Sequence, residues 1–150
     1  MDEVGAVIQE LKTLAKRYRV LTGKSLGITA EVGEYEATRL RGLELCADRE
    51  PGYDALWKRE GKTLRVQIKS RLLPQGEELG RLGKIDLTKE WDMLLFILLD
   101  EDFEPVSIHK AERKDVDQML KRPGSKARKV REQPEVSQLL AISRQVWAKK

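Results

Sequence analysis

The sequence predicts an α/β fold in which a mixed central sheet of about five strands is flanked by helices. Three observations predict it: an amphipathic helical pattern near the N-terminus, short alternating segments between residues 43 and 71, and the wholly apolar run MLLFILL at 93–99. Alternation is typical of strands with one buried face, and an unbroken apolar run is typical of strands buried on both faces. At 150 residues, the chain is expected to form a single domain, 1–150.

The first two elements are predicted to be helices. Apolar residues three and four positions apart predict a helix over residues 2–21; they are Val4, Val7, Ile8, Leu11, Leu14, Tyr18 and Leu21. Thr29 is a candidate N-cap for a second helix over residues 30–41, which Gly42 ends. Small residues lie along one stripe of this helix and would let it approach a sheet closely; the stripe is Ala30, Gly33, Ala37 and Leu40.

The remaining elements are predicted to be mainly strands, followed by two helices. The predicted strands are 43–47, 53–58, 64–69, 93–99 and 106–109, and the second and third form a hairpin around Glu60-Gly61-Lys62. Residues 72–90 are predicted to be a loop, and long loops inside compact domains are often functional. Helices are predicted at 112–120 and 136–147. We therefore expect a core over 28–109 and a basic, helical C-terminal part over 110–150.

Charge is unevenly distributed along the chain. The net charge is +4, and the densest basic stretch, KRPGSKARKVR at 121–131, has six basic residues and no acidic one. Such a cluster suits a polyanion such as nucleic acid. It is equally typical of a solvated loop, and charge alone leaves both interpretations open.

Several classes of protein and site are excluded or made less favourable by the composition. No apolar run approaches the roughly 20 residues needed to span a bilayer, and the acidic start MDEVGAVIQE is unlike a secretory signal, so a cytoplasmic location is expected. A single cysteine, Cys46, excludes internal disulfides and cysteine-based zinc sites. His109 is the only histidine and is expected to be a strand-end residue. The three tryptophans are expected to be core or interface residues, although an exposed one could stack on a base.

The stretch GYDALWKREGKTLRVQIKSR at 52–71 contains the candidate site. Side chains alternate between the two faces of a strand, so Gln67 and Lys69 share one face, across the hairpin from Asp54. A solvated sheet face would also show this alternation. However, further strands and helices follow, so this face is expected to be half covered. A carboxylate, an amide and an ammonium in such a place are costly unless they pair or bind something.

Here the sequence resembles the PD-(D/E)XK nucleases, a superfamily that includes restriction endonucleases and archaeal Holliday-junction resolvases. Its signature is an acid on one strand, a short gap and (D/E)-x-K on the next strand, with a glutamate on an upstream helix. The matching segments within residues 28–71 are EVGEY, Gly52-Tyr53-Asp54 and Gln67-Ile68-Lys69, followed by Ser70-Arg71. The resemblance implies a restriction-endonuclease-like fold and cleavage of DNA phosphodiester bonds.

Two positions depart from the signature: Tyr53 precedes the acid where proline is usual, and Gln67 replaces the second acid. The branch of the superfamily that resembles the Mrr nuclease also uses Gln-x-Lys. Glutamine offers a neutral oxygen, so the helical glutamate becomes more important for balancing a divalent charge. Glu34 is favoured for this role because it adjoins the small-residue stripe, and Glu31, on the same helix, stays open as an alternative.

The resemblance also implies roles for individual residues. Asp54, Gln67, Glu34 and the Ile68 carbonyl would hold Mg²⁺ or Mn²⁺, and Lys69 would orient water or stabilise developing charge. Ser70 and Arg71 would contact the phosphate backbone. The basic segment would bind DNA without regard to sequence; its cations are Lys121, Arg122, Lys126, Arg128, Lys129 and Arg131.

The sequence leaves three functions open. The first is a metal-dependent endonuclease, which as a small chain would be expected to pair as a homodimer to cut both strands. The second is a catalytically silent nuclease fold that binds nucleic acid or a protein partner, a reading that Gln67 favours. The third is an interaction module whose basic segment is only a solvated surface. DNA and RNA both remain open as the nucleic acid.

Overall fold

A computed structural model of the chain describes residues 2–50, 52–73, 80–122 and 133–150. These residues form an α/β fold with one six-stranded sheet and helices against it. The helices are α1 (Glu3–Thr22), α2 (Thr29–Arg41), α3 (Arg113–Lys121) and α4 (Val136–Ala141). The strands are β1 (Glu44–Glu50), β2 (Tyr53–Arg59), β3 (Lys62–Leu72), β4 (Met93–Leu99), β5 (Pro105–Glu112) and β6 (Arg144–Ala148).

The sheet is mixed, which confirms the predicted fold class, and its strands lie in sequence order from β1 to β6. All neighbours are antiparallel except β3 and β4, which are parallel. A parallel pair needs a crossover that returns the chain to the starting edge, and this crossover is usually a helix. Here, residues 80–92 of the crossover contain no helix, only turns and one isolated bridge from Arg81 to Glu135. The predicted loop is therefore confirmed over 80–90, whereas residues 74–79 lie outside the described residues.

The predicted closing helix at 136–147 is wrong beyond Ala141. α4 ends there, and β6 instead pairs with β5, with Trp147 opposite Ile108. The spacing of leucine and isoleucine in this segment is helical, but hydrogen bonding to the open edge of β5 decides its conformation. The C-terminal part 110–150 is consequently not all helical, because it contains the end of β5 and the whole of β6.

The helix termini show how local sequence sets the bounds. The Asp2 carboxylate caps α1 by accepting a hydrogen bond of 2.7 Å from the Gly5 amide. Gly42 ends α2 at a φ of 66°, in the left-handed region that glycine enters without strain. The predicted cap at Thr29 is wrong: Ile28 is the N-cap, no side chain bonds there, and Thr29 is the first helical residue.

Two apolar cores lie on opposite faces of the sheet, and β4 contributes to both. On one face, Met93, Leu95, Ile97 and Leu99 pack with residues of α1 and α2. On the other face, alternate residues of β4 pack with α3, α4 and the crossover; these are Leu94, Phe96 and Leu98. A strand buried on both faces has no polar side, which explains its unbroken apolar run.

α2 lies very close to the sheet at one point. A Cβ atom at Gly33 would overlap the side chain of Ser70 on β3, so only glycine fits there. The Ser70 hydroxyl donates to the Thr29 carbonyl at 3.3 Å.

Among the described helices, none is long and apolar enough to cross a membrane.

Candidate functional site

The candidate site begins where the β2–β3 ladder ends. Ala55 opposite Val66 is the last pair of this ladder, and Asp54 and Gln67 are the next residues on the two strands. Beyond this pair, β2 bonds β3 through a side chain and not through its backbone: the Asp54 Oδ2 accepts a hydrogen bond of 2.8 Å from the Ile68 amide. This bond holds Asp54 against the Gln67-Ile68-Lys69 segment, as the sequence pattern predicts.

Gln67 has an unusual polar environment. Its side-chain oxygen, Oε1, is buried and has no hydrogen-bond partner among the described residues. A buried carbonyl oxygen without a donor costs roughly 1–3 kcal/mol, and such atoms are rare in folded proteins. Gln67 directly precedes Ile68, whose amide the Asp54 carboxylate binds, so this unpartnered oxygen belongs to the residue adjoining that contact.

Lys69 lies on the same face of β3 as Gln67. Burial lowers the pKa of its ammonium, and the negative charge of Asp54 acts in the opposite direction. Its Nζ donates to the Lys84 carbonyl at 3.1 Å. An ammonium has three protons to donate, so this backbone contact orients the group without using its full capacity.

Arg71 continues the row of polar side chains on this face, and the crossover holds it in the same way. Its guanidinium donates to the Arg81 carbonyl, and its Nε is buried with no acceptor among the residues described. The register of β3 against β4 places Gln67, Lys69 and Arg71 beside the β4 residues of the second core. The candidate site therefore lies between the sheet and the crossover.

The crossover also approaches the start of β2. Gly52 has a φ of 92°, and a Cβ atom there would overlap the Lys89 side chain. Glycine is thus required both by the backbone conformation and by the space available. It allows residues 80–90 to lie across both strands that carry the site.

The helical acid of the predicted site is on α2. Glu36 faces α1, and Glu34, two residues earlier, is about 160° around the helix from it and therefore on the side away from α1. Glu34 is half-buried, whereas Glu31 is exposed. The choice of Glu34 over Glu31 as the helical acid of the site stays a prediction.

The remaining predicted contact residues are placed differently. Ser70 faces α2, opposite Lys69 and Arg71, where it packs against Gly33; its phosphate contact stays a prediction. Lys121 and Arg122 are exposed at the end of α3, and Lys121 pairs with Asp117 at 2.9 Å. The other predicted cations lie outside the described residues: Lys126, Arg128, Lys129 and Arg131.

The oxygen atoms of this site suit a hard divalent cation but include few charges. No group of three or more His, Cys, Asp or Glu side chains that could hold a metal occurs within the described ranges. Mg²⁺ is commonly bound by only one or two carboxylates together with substrate phosphates and water. Asp54 and the Gln67 oxygen supply one carboxylate and one neutral oxygen, so the predicted metal site would need the second acid that the sequence predicts from α2.

The sequence did not reveal the backbone groups that position the cations. The carbonyls of Arg81 and Lys84 accept from Arg71 and Lys69, and backbone contacts of this kind leave no pattern of side chains.

His109 is half-buried on β5, with its Nε2 2.9 Å from the Ser107 hydroxyl. Burial lowers the pKa of His109. The expected strand-end position is wrong, because β5 continues to Glu112 and His109 pairs within the sheet.

Comparison with known proteins gives no assignment. Neither the models of known protein families nor the curated proteins contain a match to this chain. Its function must therefore be inferred from the fold and from the geometry around Asp54 and Gln67.

Proposed function

We propose that the protein is a divalent-metal-dependent endonuclease that acts on DNA phosphodiester bonds. The observation that carries the proposal is the buried, unpartnered oxygen of Gln67, the residue next to the Ile68 amide that the Asp54 carboxylate binds. Two oxygen ligands at the point where two strands separate, with a buried lysine on the same face, form a site for a metal and a phosphate. The resemblance to the PD-(D/E)XK nucleases provides the reaction class.

The ligands in this proposal are Asp54, Gln67, Glu34 and the Ile68 carbonyl. The hydrogen bond from the Ile68 amide fixes one oxygen of Asp54 and so orients the other. When bound, Mg²⁺ or Mn²⁺ would polarise the phosphate and lower the pKa of a water molecule. Because Gln67 is neutral, we expect the free protein to bind the metal weakly and the protein–DNA complex to bind it more tightly.

The cations on the same face provide the phosphate side of the site. Lys69 retains protons to donate beyond its bond to the Lys84 carbonyl, so it can bind a phosphate oxygen or orient water. The buried Nε of Arg71 is a second donor two residues along the same face. Charged donors that are already in place stabilise developing negative charge without reorganisation.

The wider proposal concerns DNA and location. The basic segment 121–131 would bind the phosphate backbone irrespective of sequence, which predicts affinity that falls steeply with salt. Cutting both strands of a duplex would require two copies of the site, and hence a pair of chains. A cytoplasmic location, predicted from the sequence, is part of this proposal.

A second candidate is a nuclease fold that binds nucleic acid without cutting it. Gln67 in place of an acid favours this function, as does the absence of a three-acid group from the described part of the chain. A silent protein would still bind DNA in a salt-dependent way, and the binding would not depend on metal.

Cleavage of supercoiled plasmid and branched DNA, with Mg²⁺ or Mn²⁺, tests the proposal. Asp54→Asn and Lys69→Met should each lower the rate by about 100-fold or more, because each removes a group acting on the reacting phosphate. Lys62→Met is the matched control for Lys69→Met, since Lys62 is an exposed lysine at the other end of β3. It should leave the rate unchanged.

The other outcomes are equally informative. Cleavage that survives in Asp54→Asn would contradict the assignment of the site. No cleavage by the unaltered protein with either metal, together with salt-dependent DNA binding, would support the silent nuclease fold. Loss of both cleavage and binding would favour the interaction module.

A further inference from the structure

Helix α1 has a second apolar stripe beside the one that packs against the body of the protein. Its residues follow strict three–four spacing, which is the a/d pattern of a helix that pairs with another helix; they are Val4, Val7, Leu11, Leu14, Tyr18 and Leu21. The side toward the body of the protein is a different stripe, with Gly5, Ile8, Lys12 and Ala15 buried. Leu14 is 50% exposed, and Leu21 is 79% exposed. Five of the six outward residues are exposed, which is unusual for an apolar stripe of this length.

The charges on the two sides of α1 are also arranged differently. On the inward side, Lys12 pairs with Glu36 and Glu104, and Arg19 pairs with Asp102. On the outward side, three charged residues of α1 flank the apolar stripe, and none has an ion-pair partner within the described residues; they are Glu3, Glu10 and Arg17. The inward charges are therefore satisfied within one chain, and the outward charges are not.

We propose that α1 forms an antiparallel two-helix pair with α1 of a second copy of this chain. In that arrangement the a residues of one helix meet the d residues of the other. The apolar contacts are Val4 with Leu21, Val7 with Tyr18, and Leu11 with Leu14, each occurring twice by symmetry. Such a two-fold contact is isologous and closes at two copies.

Charge complementarity selects this orientation. Antiparallel pairing brings the flanking g positions of the two helices together, so that Glu10 of each copy meets Arg17 of the other. Both of these contacts join opposite charges. Parallel pairing would instead bring g positions against e positions, which are Ile8, Ala15 and Thr22 and carry no charge. The dipoles of two neighbouring helices attract each other only when the helices are antiparallel.

The inference does not depend on the proposed nuclease activity. It concerns a surface on α1, whereas Gln67 and Lys69 of the candidate site lie on the opposite face of the sheet from α1. A helix of 20 residues is about 30 Å long, so the contact is long but narrow. We expect a dimer with a dissociation constant of about micromolar strength.

Sedimentation of the full chain over a range of concentrations tests the pairing. The unaltered protein should sediment as a dimer of 17.2 kDa chains, and Leu14→Glu should sediment as a monomer. Glu10→Arg and Arg17→Glu should each raise the dissociation constant about tenfold, because each converts two attractive contacts into repulsive ones. The double variant Glu10→Arg/Arg17→Glu should restore the original affinity.

The charge-swap design keeps the test independent of folding. Both charged positions are exposed, and circular dichroism of each variant should match that of the unaltered protein. Restoration in the double variant would establish the contact between Glu10 and Arg17. A monomer at 100 micromolar, or a dimer indifferent to Leu14→Glu and to both single charge changes, would overturn the proposal.

Disulfide cross-linking distinguishes the two orientations in a Cys46→Ser background. Val7→Cys/Tyr18→Cys should cross-link in the antiparallel pair, where the two positions meet between copies, and also in a parallel pair, through like positions; within one helix the two positions are about 16 Å apart. Val7→Cys alone should cross-link only in a parallel pair. Cross-linking by the single variant would therefore contradict the antiparallel arrangement, and cross-linking by the double variant alone would support it.

Discussion

Two lysines, one buried and one half-buried, differ in the groups that contact their ammonium groups. Lys12 of α1 is 5% exposed and contacts two carboxylates, Glu36 at 3.1 Å and Glu104 at 3.0 Å. Lys69 of β3 is half-buried and donates to a backbone carbonyl, with Asp54 as the charge that acts on it. The charge of Lys12 is balanced by two direct ion pairs, whereas burial lowers the pKa of Lys69.

The difference fits the proposed function, in which Lys69 acts on a ligand and Lys12 does not. A charge buried for structural reasons needs close partners, because the interior solvates it poorly. A charge that acts on a ligand needs donors that the protein leaves open. Other polar groups near Lys69 are left open in this way. The Gln67 oxygen and the Arg71 Nε are buried and have no hydrogen-bond partner among the residues described. These polar groups are costly to the folded state unless a ligand completes them.

The largest expected effect comes from breaking the structural pair. Lys12→Met should lower the free energy of unfolding by about 3 kcal/mol, because Glu36 remains buried after losing one of its partners. Arg39 still contacts Glu36, which keeps the loss at the lower end of the range for buried pairs. Urea denaturation followed by circular dichroism measures the change, and DNA cleavage per folded molecule should be unaltered.

A second substitution sharpens this result. Lys12→Met/Glu36→Leu replaces the pair with apolar side chains of similar size and should recover most of the stability. Arg39 and Glu104 then lose a partner, but their side chains are about half exposed and water can solvate them. If the double variant were as unstable as Lys12→Met, packing and not the uncompensated charge would explain the loss.

The next effect concerns the unpartnered oxygen at the candidate site. Gln67→Leu removes this buried oxygen and should raise the free energy of unfolding by about 1 kcal/mol, while lowering metal-dependent cleavage at least tenfold. Gln67→Glu is the contrasting variant. It should be less stable without metal, because two carboxylates then face each other, and it should gain more stability than the unaltered protein when Mn²⁺ is added.

Destabilisation by Gln67→Leu would weaken the comparison between the two lysine regions. It would mean that the amide has a structural function, as the Lys12 pair does. The measurement is urea denaturation of the three proteins, each with and without Mn²⁺.

Much of the fold could be predicted from the sequence because its strongest patterns are local. α1, α2, the β2–β3 hairpin and β4 follow from apolar spacing alone, and all four are observed within a few residues of the predicted bounds. β6 could not be predicted in this way. Its conformation depends on the open edge of β5, about 35 residues earlier, and an edge strand gains its hydrogen bonds from that neighbour.

The candidate site could likewise be predicted only in part. The proximity of Asp54 to Gln67-Ile68-Lys69 follows from hairpin register, which depends on sequence spacing. The position of the crossover over these residues does not, because it is fixed by backbone carbonyls and by the space at Gly52. Gly52 was the available signal, but glycine alone does not identify which segment approaches it.

The smallest expected effect is a pH dependence at Lys69. Burial lowers its pKa below the ordinary value of 10.5, so between these two values the unfolded chain binds more protons than the folded chain. The free energy of unfolding then rises with pH in that window, as the penalty for burying the charge disappears. Below the window the penalty is complete, and above 10.5 it is absent.

Lys69→Met has no such penalty, so its stability relative to the unaltered protein should be greatest at neutral pH and should decline as the pH approaches 10.5. Other alkaline groups, such as Tyr35, titrate in both proteins and cancel in the difference. Urea denaturation of both proteins from pH 7 to pH 10.5 measures it, with Lys62→Met as the control that should show no trend. A difference that stays constant with pH would mean that Lys69 is as well solvated as an exposed lysine, and its contrast with Lys12 would then lose its electrostatic basis.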